Sequence, residues 1–144
     1  MAFRGTFDHT LDAKNRLTIP AKFRGALSDG VVLNRGSERC VEIWPKDDYE
    51  RSTDRALAGH NPLSPSTREL KRRLNAGAFD TEVDGAGRVM IFPRLLEHAE
   101  LGKDVAVIGA GEWLEVWDRG RWTAEDRESP ARIRELTEDL DNPS

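Results

Sequence analysis

The feature that most constrains the fold of this 144-residue chain is an internal duplication. Shifted by 72 positions, the segment FDHTLDAKNRLTI (residues 7–19) aligns with FDTEVDGAGRVMI (residues 79–91). After a gap the shift becomes 73, and VEIW (residues 41–44) aligns with LEVW (residues 114–117). Matches that continue in order over roughly 40 residues indicate two diverged copies of one structural unit.

Each copy predicts the same order of elements. An extended segment leads through a tight turn to a short apolar run, and a proline (Pro20 or Pro93) then opens a short helix, where its fixed φ suits the first helical position. Glutamate alternates with apolar residues in VEIW and LEVW, as is typical of half-buried strands. The apolar runs that predict strands are 17–19, 31–33 and 41–44 in the first copy, and 89–91, 105–108 and 114–117 in the second.

The segments outside the strands are helical in pattern. We expect a helix over 47–57 and another over 66–75, with Ser64 and Pro65 at its start and Gly77 at its end. Thr123 and Asp126 resemble the start of a capping box, and Pro130 begins a charged helix that runs to about Leu140. The expected organisation is repeat 1 (3–50), a helical linker (51–76), repeat 2 (77–122) and a C-terminal charged helix (123–144).

Neither copy has enough strands to bury both faces of a sheet alone. The sequence therefore predicts a mixed α/β (α+β) protein in which two tandem repeats, related by a pseudo-twofold axis, share one barrel or sandwich.

Charge is distributed unevenly along the chain. The net charge is −4, but residues 1–36 carry six basic groups against three aspartates, and residues 112–144 carry ten acidic groups against five arginines. Because surface potential depends on charge within about 8 Å at physiological salt, a basic face can exist on an acidic protein. The sequence thus permits a nucleic-acid partner.

Composition also bears on the compartment. A lone cysteine, Cys40, excludes an internal disulfide and fits a reducing environment. There is no apolar stretch near 18 residues, and the N-terminal segment lacks the apolar core of a signal peptide. We expect a cytoplasmic protein without a membrane partner.

The most informative motif is Asp-x-x-x-Arg, which occurs in both copies as Asp12–Arg16 and Asp84–Arg88. The aspartate can accept hydrogen bonds from backbone N–H groups two residues on, which forms an Asx turn. Asn15 and Gly87 occupy the position that needs positive φ, and these two residue types tolerate it best. Both copies thus predict a tight turn followed at once by an arginine.

Two interpretations of this motif are compatible with each other. In the first, Arg16 and Arg88 are structural and pair with Asp12 and Asp84. In the second, the rigid turns present Lys14, Arg16 and Arg88 to DNA, because a planar guanidinium suits bidentate contact with guanine or phosphate.

The segments FRGTFDHTLDAKNRLTIPAKFR, DGAGRVMIFPRLLEHAEL and GEWLEVWD resemble the two repeats and the closing strand of MraZ proteins. The resemblance spans 3–122 and implies a swapped-hairpin β-barrel of the AbrB type. It also implies a transcriptional regulator that binds direct repeats upstream of its own division and cell-wall operon, with nucleoid localisation and ring-shaped homo-oligomers. The implied DNA-binding residues are Lys14, Asn15, Arg16, Gly87 and Arg88, with Asp12 and Asp84 structuring the turns. One departure is Asn15, where the family motif commonly has glycine.

Other chemistry is not indicated by the sequence. The three histidines show no metal-ligand spacing, DGAGR lacks the G-x-G-x-x-G pattern, and no Ser–His–Asp or Cys–His set is discernible. We therefore expect no metal, no cofactor, no small-molecule substrate and no enzymatic activity. The basic run 68–73 favours a solvated helix face over phosphate contact, and the four tryptophans favour core or subunit-interface positions.

Two rival functions remain open. An antitoxin of the related MazE type would bind a toxin as well as DNA, although the doubled repeat and the lack of a long toxin-wrapping tail argue against it. A small hydrolase or nuclease would use Asp12 and Asp84 as paired carboxylates, which requires them to lie within roughly 10 Å and to face solvent.

Overall fold

The computed structural model describes residues 2–126 and 129–142. Within these ranges the chain forms an α+β fold, which confirms the predicted class. Its first half comprises β1 (Thr6–Thr10), β2 (Arg16–Thr18), β3 (Val31–Arg35), β4 (Val41–Pro45), α1 (Lys46–Leu57) and α2 (Pro65–Ala76). Its second half comprises β5 (Ala78–Thr81), β6 (Arg88–Met90), α3 (Pro93–Ala99), β7 (Asp104–Gly109), β8 (Leu114–Asp118), α4 (Arg119–Asp126) and α5 (Ser129–Asp141).

Six strands form one antiparallel sheet in the order β1-β7-β8-β4-β3-β5, and β2 pairs with β6 in a separate two-stranded ribbon. The first strand of each copy pairs with a strand of the other copy, β1 with β7 and β5 with β3. The centre of the sheet is the facing pair Glu42 and Glu115, and the centre of the ribbon is the pair Leu17 and Val89. Both pairs join equivalent positions of the two copies, so the pairing has pseudo-twofold symmetry.

The sheet is open, so of the predicted barrel or sandwich the six-stranded sheet does not close as a barrel. Strands β1 and β5 are the two edges and do not pair with each other. The β2–β6 ribbon covers the inner face instead, with Leu17 and Val89 fully buried in the same apolar cluster as the sheet residues. Because the ribbon excludes water from this face, burial does not require the edges to meet. The swapped-hairpin connection stays a prediction.

Both copies contribute to one core. Its members come from the ribbon, from alternate positions of the sheet, and from the segments after the two prolines. The largest fully buried side chains include Phe3, Phe23, Leu33, Ile43, Leu95 and Leu114. Since neither copy supplies a complete apolar layer, each depends on the other for burial.

The helices agree with most sequence expectations. The Ser64 hydroxyl accepts a hydrogen bond from Thr67 N at 3.1 Å and caps α2, which ends before Gly77. After Pro20, however, the chain forms two short 3-10 turns, Ala21–Phe23 and Gly25–Leu27, in place of the expected helix, because Gly25 disfavours helix continuation. The capping-box expectation is also wrong, since Thr123 lies inside α4 and its hydroxyl donates to Arg119 O at 3.0 Å.

Candidate nucleic-acid interface

The first turn, Asp12–Arg16, is held by one carboxylate. Oδ1 of Asp12 accepts hydrogen bonds from the backbone N–H groups of Lys14 and Arg16, each at 2.9 Å. Oδ2 accepts from Nε of Arg16 at 2.7 Å. Asn15 has φ 58° and donates its N–H to Asp12 O at 2.9 Å. These bonds form an Asx turn that also fixes the orientation of the arginine.

The second turn, Asp84–Arg88, repeats this geometry. Oδ1 of Asp84 accepts from the N–H groups of Ala86 and Arg88 at 2.9 Å, and Oδ2 accepts from Nε of Arg88 at 3.1 Å. Gly87 has φ 79° and donates to Asp84 O at 2.9 Å. The two copies therefore share one backbone path although Gly87 stands where the first copy has asparagine.

The ribbon brings the two turns side by side. Ile91 donates its N–H to Asn15 O, and Ile19 donates to Gly87 O, both at 2.9 Å. Nη1 of Arg88 also lies 3.9 Å from Oδ2 of Asp12, so one guanidinium contacts the aspartates of both turns. Residues 72 positions apart in sequence thus form one surface.

The arginines of this surface keep hydrogen-bonding capacity for a ligand. The Arg16 and Arg88 side chains are 28% and 32% exposed. Both direct Nε to an aspartate, and in the described ranges their terminal nitrogens donate no hydrogen bond to protein. A guanidinium anchored through Nε can present two parallel N–H donors from its outer edge.

The same contacts lower the pKa values of both aspartates. The backbone N–H of Arg16 contributes most, followed by its side chain and the N–H of Lys14, and together they lower the pKa of Asp12 to about 2. The pKa of Asp84 is lowered for the same reasons, with the backbone N–H of Arg88 first. Both side chains therefore remain carboxylates at neutral pH.

This chemistry bears on the hydrolase alternative. Because Asp12 and Asp84 contact the same Arg88 guanidinium, they meet its distance requirement of roughly 10 Å, and both are partly exposed. Their lone pairs are nevertheless occupied by turn hydrogen bonds, and their lowered pKa values disfavour proton transfer near neutral pH. Proximity alone does not make this pair suited to acid–base catalysis.

A further basic residue, Arg24, lies beside the second turn. It is not among the DNA-binding residues that the sequence predicts. Its Nε donates to Ile19 O at 3.1 Å, and a Cβ placed on Gly87 would overlap the same nitrogen. Beside the first turn, Leu96 lines a cavity with Asp12 and Asn15. The feature of the sequence that could have indicated this contact is Gly87. Since Asn15 adopts a similar positive φ in the first turn, backbone conformation alone does not require glycine at position 87.

The other candidate groups have structural partners. Nε2 of His98 lies 3.1 Å from the carbonyl oxygens of Gly36 and Glu38. Ligand atoms of Glu38, Cys40 and Glu115 lie within 4.8 Å of one another, but burial raises the pKa of the Cys40 thiol well above its usual range. In the metal-free chain the thiol is therefore protonated at neutral pH.

The tryptophans pack against one another on the outer face of the sheet. Trp44 stacks on Trp113 with ring centroids 4.8 Å apart, and Trp117 contacts Trp122 at 5.5 Å. Their indole N–H groups donate to the central glutamates: Trp44 to Glu42, and Trp113 and Trp117 to Glu115. These contacts give the tryptophans a packing role within the chain.

The fold and this surface define a class of tandem-repeat protein. In it, the first strand of each repeat pairs with a strand of the other repeat, and two Asx turns, each followed by an arginine, lie side by side. The family model of the MraZ protein, described as antitoxin-like, matches residues 2–73 and again residues 74–141. The chain belongs to the MraZ family.

Curated relatives agree with this assignment. The "Transcriptional regulator MraZ" of Cutibacterium acnes is 43% identical over 120 residues, which cover 83% of this chain and 84% of that protein. The proteins of the same name from Nocardioides sp. and Paenarthrobacter aurescens are 39% and 41% identical, and the alignments cover 95% or more of each chain. No helix within 2–126 or 129–142 has the length and apolarity needed to cross a bilayer.

Proposed function

We propose that this chain is a transcriptional regulator that binds double-stranded DNA through its two Asp-x-x-x-Arg turns. The observation that carries the proposal is the adjacency of Arg16 and Arg88, each anchored through Nε with its outer edge available to a ligand. The relatives named transcriptional regulators support the same function. Its mechanism is non-covalent, and it is not an enzyme.

Each site residue has a distinct role in the proposed contact. Arg16 and Arg88 offer bidentate donors to guanine or to phosphate. Lys14 is exposed at the tip of the first turn and contacts phosphate, while Asn15 and Gly87 adopt the positive φ that shapes the two turns at the DNA contact. Arg24 adds a second cation beside the second turn.

The proposed operator is a set of direct repeats upstream of the chain's own division and cell-wall operon, bound by a ring-shaped homo-oligomer in the cytoplasm at the nucleoid. Few contacts per subunit suffice when several subunits engage spaced repeats, because each later contact benefits from a raised effective concentration. In this proposal the units 3–50 and 77–122 form the swapped-hairpin arrangement, joined by the linker 51–76 and followed by the C-terminal segment 123–144. A strict 16.2 kDa monomer in light scattering that still binds its operator tightly would contradict the assembly.

The deciding experiment pairs operator affinity with thermal stability for purified Arg16→Ala. The operator is first identified by sequencing genomic DNA recovered with the protein. Removing one bidentate interaction weakens binding by about 1–3 kcal/mol per engaged subunit, so affinity should collapse while the melting temperature changes little. Unchanged affinity would refute DNA recognition by this turn.

Two further variants separate recognition from charge. Lys14→Ala should weaken binding to all sequences and reduce the salt slope by about one unit for each phosphate interaction that the substitution removes. Arg72→Ala removes the same charge from the exposed face of α2 and is the matched control. If Arg16 is purely structural, Asp12→Ala and Arg16→Ala should instead destabilise the fold by similar, non-additive amounts.

A further inference from the structure

A cavity of about 380 Å³ lies between the β3–β4 loop, the junction of α2 with β5, and helix α3. Three arginines line it, namely Arg35, Arg39 and Arg94, together with His98. In the described part of the chain the lining includes one carboxylate, Glu97. Its volume lies in the range of pockets that bind small molecules.

The side chain of Arg35 lies against the backbone of Gly77, where residue 77 has no side chain. A Cβ on residue 77 would overlap Nε of Arg35 and would lie 2.7 Å from its Nη2. The guanidinium therefore packs directly on the buried backbone of Gly77. The charge of Arg35 therefore lies at the cavity wall.

The positive charges of the cavity are weakly compensated. Across residues 2–126 and 129–142, neither Arg35 nor Arg94 forms a salt bridge. Arg39 lies 3.8 Å from Glu100, a carboxylate that also pairs with Arg121. Like charges around one concavity repel each other, and a bound anion relieves that repulsion.

The duplicated fold does not itself require Arg35 and Arg39. Leu33 pairs with Phe79, and Val107 pairs with Phe7, the equivalent of Phe79 in the other copy. Leu33 and Val107 are therefore equivalent, and two residues further along each strand Gly109 is the counterpart of Arg35. The 73-residue shift of the following strands makes Glu112 the counterpart of Arg39. Since the second hairpin folds with glycine and glutamate at these positions, the positive charge of Arg35 and Arg39 is present in the first hairpin and is not repeated in the second.

We propose that this cavity binds the phosphate group of a small phosphorylated molecule of about mononucleotide size. Arg35, Arg39 and Arg94 hold the phosphate, because guanidinium groups match its oxygens bidentately and two or more are needed to neutralise its charge. The ring of Phe79 in the lining offers an apolar surface for the remainder of the ligand. The site involves no glycine-rich phosphate loop, so motif patterns in the sequence give no sign of it.

Calorimetric titration of the intact chain, without DNA and at low ionic strength, tests the proposal. The probes are AMP, adenosine and inorganic phosphate. AMP should bind at least tenfold more tightly than adenosine, and Arg35→Gln and Arg94→Gln should each weaken AMP binding about tenfold or more. Arg68→Gln, on the exposed face of α2, is the control of equal charge and should bind AMP as the unaltered chain does. Binding of inorganic phosphate alone, abolished in both cavity variants, also supports the site.

Three outcomes would overturn the proposal: equal weakening in Arg68→Gln, adenosine binding as tight as AMP binding, or no binding of AMP or phosphate at millimolar concentration. A loss of operator affinity in Arg94→Gln without any nucleotide or phosphate binding would reassign the arginines to the DNA backbone. Because the titration contains no DNA, its result is independent of the proposed DNA-binding function.

Discussion

One carboxylate organises the first turn, because Asp12 accepts two backbone N–H groups and the Nε of Arg16. These donors all favour the ionised form, which lowers the pKa of Asp12 from its ordinary value of 3.8 to about 2. A carboxyl group with a lowered pKa in the folded state stabilises the fold at any pH above its unfolded pKa, and that stabilisation is lost as the pH falls through the folded pKa.

We therefore expect Asp12→Asn to be less stable than the unaltered chain near neutral pH and to converge with it between about pH 4 and pH 2. Asparagine retains one acceptor for the turn but carries no charge for Arg16. Melting temperatures measured across this range provide the test. Asp139→Asn on α5, whose side chain is exposed, is the control, and a constant difference between Asp12→Asn and the unaltered chain at all pH values would contradict the assignment.

Gly87 serves two purposes, since it adopts a φ of 79° and leaves space for Arg24. Gly87→Ala should lower the free energy of unfolding by about 1–2 kcal/mol through backbone strain, and it should also displace the Arg24 guanidinium. Asn15→Gly is the matched variant, because it relaxes the same backbone position without such a contact. Urea denaturation measures both effects, and equal stability of Gly87→Ala and the unaltered chain would refute the close packing.

At the level of elements, the β2–β6 ribbon connects the two Asx turns to the core. Leu17 and Val89 are fully buried on its inner side, whereas Thr18 is exposed. Leu17→Ala should cost about 2–5 kcal/mol of unfolding free energy, because it removes a core side chain and leaves a cavity. Thr18→Ala should change stability by less than about 0.5 kcal/mol. Similar losses in the two variants would show that the ribbon does not cover the sheet.

Sequence and structure agree best where the information is local. The strands, the prolines, the cap at Ser64 and the path of each Asx turn depend on residues within a few positions of one another. The contact of Arg24 with Gly87 joins residues 63 positions apart and has no periodic signal, so it could not be predicted. The shared barrel or sandwich was inferred from the need for burial, and an open sheet covered by the ribbon meets that need.

At the scale of the whole molecule, the exchange of strands between copies makes one unit of the chain. Strand β1 lies beside β7, and β5 lies beside β3. We expect separately expressed fragments 1–60 and 76–144 to be poorly folded alone and to gain structure on mixing, because each supplies an edge strand for the other. Circular dichroism of the fragments and of their mixture measures this, and two independent calorimetric transitions in the intact chain would contradict it.

The duplication also removes the requirement that the two turns be identical. A dimer of single repeats would present two equal halves and would suit a palindrome. Here the first turn carries Lys14 where the second has Ala86, and Arg24 lies beside the second turn where Leu96 lies beside the first. In the proposed DNA complex the two halves of this surface are therefore unequal, which would distinguish the two directions along a duplex. Neighbouring subunits that follow one another in the same sense would then call for sites arranged head to tail.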